Sequence, residues 1–273
     1  MNAPSSQSHS DRFMAPLFSS NPKRILILGA SGAIGFAFYE QVCVRYPNCE
    51  IMLLARNTDK LNTLINQQAI KQHQPQRPSP KVIQIDLASS DSIEQACSNI
   101  EPKQVFDCIF IASGWLHDQH ALPEKTWKSL EADNLMKAYQ VNAIGPILFL
   151  KTLFERINLK HPMVIGVVSA RVGSISDNRM GGWHSYRASK AALHMLIKNL
   201  AIELKRKQNP VCIVGLQPGT TDSALSKPFQ RHLPPEQLES PTFTGQKLLE
   251  VMRSLTLENS GTLMDFEGKT FEP

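Results

Sequence analysis

The chain has 273 residues, of which 42% are hydrophobic and 19% charged, with a formal net charge of +5. That is the composition of a soluble globular protein long enough for one large core. It argues against wholesale disorder and a membrane span. The lysines and arginines are scattered. Lys205-Arg206-Lys207 reads as a helix end complementing its dipole, so nucleic acid is not an expected partner. The five cysteines, Cys43, Cys49, Cys97, Cys108 and Cys212, have no C-x-x-C or zinc spacing. They fit reduced, buried thiols in a cytoplasmic protein, and no metal site is expected.

Residues 1–22 are rich in Ser, Asn, Pro and Gln and read as a loose tail without the apolar run of a secretory signal. One domain is expected over residues 23–273. Arg24 to Leu28 is a short apolar run, the mark of a strand buried on both faces of a parallel sheet. Gly29-Ala30-Ser31-Gly32-Ala33-Ile34-Gly35 follows, then a helical run from Phe36 to Arg45 and a strand from Ile51 to Leu54. Glycines between a strand and a helix permit a sharp turn and bring backbone amides close to a phosphate, the context of dinucleotide binding. After the second strand stand Ala55 and Arg56 where a carboxylate would bind a ribose 2′-hydroxyl. Arg56 suits a 2′-phosphate, or is simply a solvent-facing arginine before the helix from Thr58 to Gln72.

Gln74 to Pro80 is a proline-punctuated loop, and the strand pattern resumes from Lys81 to Ile85. Asp86 at its end either accepts from an adenine amino group or caps its own loop, and Ser90 to Glu94 carries a helix-start signature. Phe106 to Ile111 is a fourth strand. Trp115 to Pro123 lacks periodicity and is expected over the strand ends, where ligands bind in such folds. A long helical pattern runs from Thr126 to Ile157 and holds Asn142 and Pro146. A local distortion is expected there, with Asn142 either holding a water or bonded to a neighbouring carbonyl. Met163 to Val168 and Val211 to Leu216 are further strands, and Gln217 to Ser223 is a hydroxyl-rich turn. The polar loop up to Pro241 resembles a substrate-side lid. Phe243 to Leu255 is a final helix, and Gly261 to Phe266 an edge strand.

Between the fifth and sixth strands, Tyr186 and Lys190 head a helix whose apolar stripe continues through Leu193, Leu196, Ile197, Leu200 and Leu204. Spaced four apart, they share one face. A phenol titrates near pH 10, and an ammonium one turn away favours the phenolate, so the pair can serve as an acid or base.

The glycine turn, Asn142, Tyr186/Lys190 and Pro218-Gly219 in this order resemble the short-chain dehydrogenase/reductase family over residues 23–270. Val172 to Asn178, Gly181-Gly182-Trp183 and Tyr186 to Leu193 are similar to its C-factor-like branch, which is bacterial. The resemblance implies an α/β fold, a doubly wound parallel (Rossmann) sheet of about seven strands in a single domain. It implies an oxidoreductase passing hydride between nicotinamide and a small carbonyl or alcohol, with NADP(H) preferred and NAD(H) possible. Tyr186 is then the general acid/base, Lys190 lowers its pKa and binds the nicotinamide ribose, and Asn142 anchors a relay water. The cofactor would touch Gly29, Ser31, Ile34, Gly35, Arg56, Asp86, Pro218, Gly219, Thr221 and Ser223. A homodimer or homotetramer follows from the same resemblance. Three departures stand out: the glycine spacing, with Ala33 in a glycine position; Ile111-Ala112-Ser113-Gly114 in place of Asn-Asn-Ala-Gly; and Ala170 where the family serine polarises the carbonyl. Ser169 and Ser174 are both candidates to replace it. The alternative reading is a dinucleotide-binding regulatory or signalling protein of reduced catalytic power.

Overall fold

The computed structural model describes residues 15–72 and 78–273, except the side chains of Lys71, Gln72, His232 and Pro235. Six parallel strands alternate with helices: β1 (Arg24–Leu28), α1 (Ala33–Arg45), β2 (Glu50–Ala55), α2 (Thr58–Gln72), β3 (Lys81–Gln84), α3 (Ser90–Ser98) and β4 (Cys108–Ile111) come first. There follow α4 (Ala132–Tyr139), a widened π turn (Gln140–Ile144), α5 (Gly145–Phe154), β5 (Met163–Val168), α6 (His184–Arg206) and β6 (Val211–Gln217). The chain closes with β7 (Thr220–Thr221), β8 (Leu238–Glu239), α7 (Pro241–Ser254), β9 (Leu263–Asp265) and β10 (Thr270–Phe271).

The main sheet has eight strands in the order β10-β9-β6-β5-β4-β1-β2-β3, and only the β9–β10 pair is antiparallel. The strand expected at the edge, β9, therefore lies inside β10. Short β7 and β8 pair with each other apart from this sheet. The order reverses between β4 and β1, which opens a crevice beyond their carboxyl ends.

Alternation along the strands feeds two cores. From β1, Leu26 and Leu28 face the layer that includes Ile93, Phe149, Leu193 and Ile197, while Ile25 and Ile27 face the layer of Phe38, Leu61, Leu248 and Met252. A strand with apolar neighbours on both faces has no polar alternation, hence the unbroken run. Phe38 of α1 stacks on Phe110 of β4 at 3.9 Å between centroids, fixing the first helix over the switch point.

The tail expected over residues 1–22 is tied down at its inner end. Phe18 is buried and stacks on Tyr46 at 5.8 Å, and the Leu17 amide donates to Leu255 O at 2.9 Å. Residues 1–14 and most of the proline-punctuated loop, 73–77, lie outside the described residues. The five cysteines are all buried and unpaired, and burial pushes the Cys97 thiol up to about 11 and Cys212 to about 12.

Candidate active site

The glycine turn is built by close approach. Gly29 has φ +81, and a Cβ there would meet Ala112 C at 2.7 Å; a Cβ on Gly35 would fall on Gly29 O. Both glycines thus shape the turn without lining the cavity beside it. The N-terminus of α1 has no side-chain cap at Gly32 and no acidic residue in its first turn, which leaves its amides to an anion. Ser31 to Ile34 form one end of a cavity of about 830 Å³, and Tyr186 and Lys190 line the same cavity.

At that other end, α6 starts abruptly. Gly181, Gly182 and Trp183 are all left-handed (φ +61, +67 and +50). For tryptophan that conformation costs on the order of 1–2 kcal/mol. It is held from a distance: Trp183 N donates to Glu124 O at 2.5 Å, while the buried Glu124 carboxylate accepts from Ser185 N at 3.1 Å and from the Ser185 hydroxyl. A carboxylate on the first amides of a helix complements the dipole and serves as a cap supplied by another segment. Nothing in the sequence pairs Glu124 with Ser185, so this residue is found only in the fold.

Tyr186 and Lys190 share one face of α6, with Lys190 Nζ 5.7 Å from the phenol ring centroid and donating to Val168 O at 3.1 Å. Lys190 is 2% exposed, and burial brings its ammonium down to about 8. Burial pushes the Tyr186 phenol upward from its usual value, opposite to the effect expected from its lysine neighbour. One turn further along the stripe, His194 Nε2 lies 2.6 Å from Ser169 Oγ. Burial first, and the Lys190 charge second, bring His194 down to about 4, so the ring is neutral at pH 7.

Asn142 lies in the π turn, where the distortion was expected. Its Oδ1 accepts from Trp115 N at 2.7 Å, and its Nδ2 donates to Trp115 O at 2.8 Å and Ser189 Oγ at 3.0 Å. The amide clamps the loop after β4 as a strand neighbour would; both Nδ2 donors are used, and Oδ1 keeps a second lone pair. Residues Gly114 and Leu116 of that loop line the cavity.

Of the other expected contacts, Ser31, Ile34, Pro218, Gly219, Thr221 and Ser223 line the cavity, whereas Arg56 and Asp86 do not. Arg56 is exposed, and Lys60, one turn into α2, lines the cavity instead. Asp86 Oδ1 accepts from Ala88 N at 3.0 Å, the loop-capping alternative. Neither replacement serine is free: Ser169 is engaged by His194, and Ser174 Oγ accepts from Asp177 N at 3.2 Å and contacts Ser176 Oγ. Ser169 and Ala170 both line the cavity, but the Ser169 hydroxyl is held by His194 at 2.6 Å.

A nicotinamide dinucleotide fits these residues. Ser113 Oγ is buried without a partner in the cavity wall, between the open amides of α1 and the Tyr186 end. Among the described residues no cluster of side chains could hold a metal ion.

The family model described as short chain dehydrogenase matches residues 23–234. A 1-hydroxy-2-glutathionyl-2-methyl-3-butene dehydrogenase of Rhodococcus sp. (strain AD45) is 30% identical over 190 residues, 67% of this chain and 76% of that one. The C-signal protein of Myxococcus xanthus is 26% identical over 135 residues, 50% of this chain and 76% of its own length. The NADPH-bound carbonyl reductase from chicken fatty liver superposes with a TM-score of 0.76 at 20% identity, covering 93% of this chain and all of that one. With the glycine turn, the Tyr186/Lys190 stripe and the matched span in agreement, the chain belongs to the short-chain dehydrogenase family of NAD(P)-dependent oxidoreductases.

Proposed function

We propose that this protein is an NADP(H)-preferring oxidoreductase acting on a small carbonyl or alcohol, with Tyr186 as the general acid/base. The observation that carries the reading is the single cavity joining the uncapped start of α1 to Tyr186 and Lys190. The bound nicotinamide supplies or accepts hydride. The α1 amides and Ser31 would hold its pyrophosphate, Lys190 and Ser113 its ribose hydroxyls, and Thr221 and Ser223 its amide end. In reduction the Tyr186 phenol gives its proton to the carbonyl oxygen. Lys190, charged below about pH 8, favours the resulting phenolate against the upward push of burial. The π turn displaces the helical hydrogen-bond ladder at Asn142, which supports a relay water on the backbone there while its side chain fixes the loop.

Preference for NADP(H) rests on Ala55, which offers no carboxylate, and on Lys60 in the cavity wall with Arg56 one turn before it. The buried thiols suit a cytoplasmic setting, and among the described residues no helix is long and apolar enough to cross a membrane. Self-association is supported by the exposed apolar residues Met136 and Ile144 on α4 and the π turn, beside Met195 and Ile202 on the adjoining α6.

A second reading, a dinucleotide-binding regulator, is favoured by Ala170, with Ser169 held by His194 and Ser174 by Asp177 N. Titration with NADPH and NADH, followed by NADPH consumption over aldehydes and ketones, separates the two. Tighter NADPH binding with turnover supports the enzyme, whereas NADPH binding without turnover of any compound supports the regulator.

A further inference from the structure

The end of the cavity above Tyr186 is walled by flat apolar side chains. Trp183 stands edge-on to the Tyr186 ring at 6.3 Å, and Phe229, from the segment between β7 and β8, leans on Trp183 at 4.9 Å. Leu116, Val172, Leu225 and Leu233 complete the lining. The charged side chains on the cavity stand elsewhere or are engaged. Glu40 and Lys60 belong to α1 and α2, beside the glycine turn, and Lys190 lies beneath the phenol. Arg171 is drawn towards Asp177 at 3.7 Å and over the Phe271 ring at 5.4 Å. Three polar groups nearby are partnered: His117 Nε2 is 3.0 Å from Leu225 O, Asn142 bonds Trp115 and Ser189, and Ser169 Oγ is held by His194. An anionic substrate would leave water here to meet only Lys190 beneath the phenol and an Arg171 shared with Asp177 and Phe271, whereas an aromatic ring would meet complementary faces.

Resting on the oxidoreductase reading above, we propose that the substrate is an uncharged carbonyl compound bearing an aryl or similarly flat apolar group, seated against the Trp183–Phe229 wall with its carbonyl on Tyr186. In the reductive direction its carbonyl carbon takes hydride and its oxygen takes the Tyr186 proton, giving the neutral alcohol.

The test compares methyl 4-acetylbenzoate with 4-acetylbenzoate, which share the ketone and ring but differ in charge. Turnover with NADPH is read as kcat/KM. Binding is read by quenching of tryptophan fluorescence in the NADP(H)-saturated protein, with Trp183→Phe identifying the reporter. The ester should exceed the carboxylate by at least about a hundredfold in kcat/KM, given the cost of desolvating an unpaired charge. Phe229→Ala should lower the ester's kcat/KM about tenfold, through KM, with NADPH affinity unchanged. Phe229 is half-buried on a short 3-10 helix (Lys227–His232) and belongs to neither core, so this variant keeps the cores intact. A carboxylate turned over as well as the ester, or a Phe229→Ala variant with unaltered KM, overturns the proposal while leaving the oxidoreductase reading in place. If neither compound turns over, the oxidoreductase reading is what suffers and binding decides this one: at least tenfold tighter binding of the ester sustains it, and equal affinities overturn it.

Discussion

Replacing Lys190 by methionine should abolish function and yet stabilise the protein without its cofactor. The side chain is 2% exposed, and its only hydrogen bond among the described residues is to Val168 O at 3.1 Å. Burial lowers its pKa from 10.5 to about 8, so carrying the charge at pH 7 costs the folded state about 3 kcal/mol. Methionine removes that cost at nearly the same length but strands the Val168 carbonyl, a loss of about 1 kcal/mol. The balance favours the variant by about 2 kcal/mol at pH 7, or roughly 4–8 °C in Tm for a chain of this size. The sign follows from linkage: between pH 8 and 10.5 the unfolded chain holds the lysine proton more firmly than the folded one, so wild-type stability rises with pH across that window. The advantage of Lys190→Met should therefore shrink to about zero by pH 10. Thermal unfolding of both proteins at pH 7 and pH 10, without cofactor, reads the difference directly and cancels the other titrating groups. A variant less stable at pH 7, with a gap that does not change with pH, would show that the buried ammonium carries no such burden.

His194, held at about 4 when folded against 6.5 when free, should erode stability as pH falls from about 6.5 towards 4, by up to about 3 kcal/mol. His194→Asn should flatten that acid slope in urea unfolding, and an unchanged slope would place the acid sensitivity elsewhere. Asn142→Ala removes three hydrogen bonds, one buried and two part-buried, and should cost about 2–4 kcal/mol by denaturant unfolding. A loss below about 1 kcal/mol would mean that the Trp115 loop holds itself. Ala170→Ser restores a donor facing the cavity and should raise kcat tenfold or more without altering cofactor affinity. An unchanged kcat would mean that carbonyl polarisation does not limit the rate.

What the sequence made legible is what repeats or punctuates. The start of helix α2 at Thr58 agrees with the sequence pattern because it is signalled locally. The glycine turn and the Tyr186/Lys190 stripe were legible for the same reason, since both depend on spacings of a few residues. Contacts across long separations were not: Glu124 caps a helix 61 residues away, and Ser169 meets a histidine 25 residues on. The two-residue strand β10 is too short to show a period, so the sequence pattern leaves β9 as the edge. Arg56 had the right position in the chain, but the direction of its side chain is set by the fold, which brings Lys60 to the cavity in its place. The π turn was legible as a disturbance near Asn142 and Pro146, though not that the amide would clamp Trp115.

The most direct measurement is of Tyr186→Phe, which deletes one hydroxyl and keeps the ring against Trp183 and Lys190. With a substrate that the wild type reduces, NADPH oxidation and NADPH affinity are measured side by side. Reduction should fall by about 10² to 10⁴ while affinity for NADPH stays within a factor of about two. Full activity in Tyr186→Phe would contradict the assignment of the proton to this phenol.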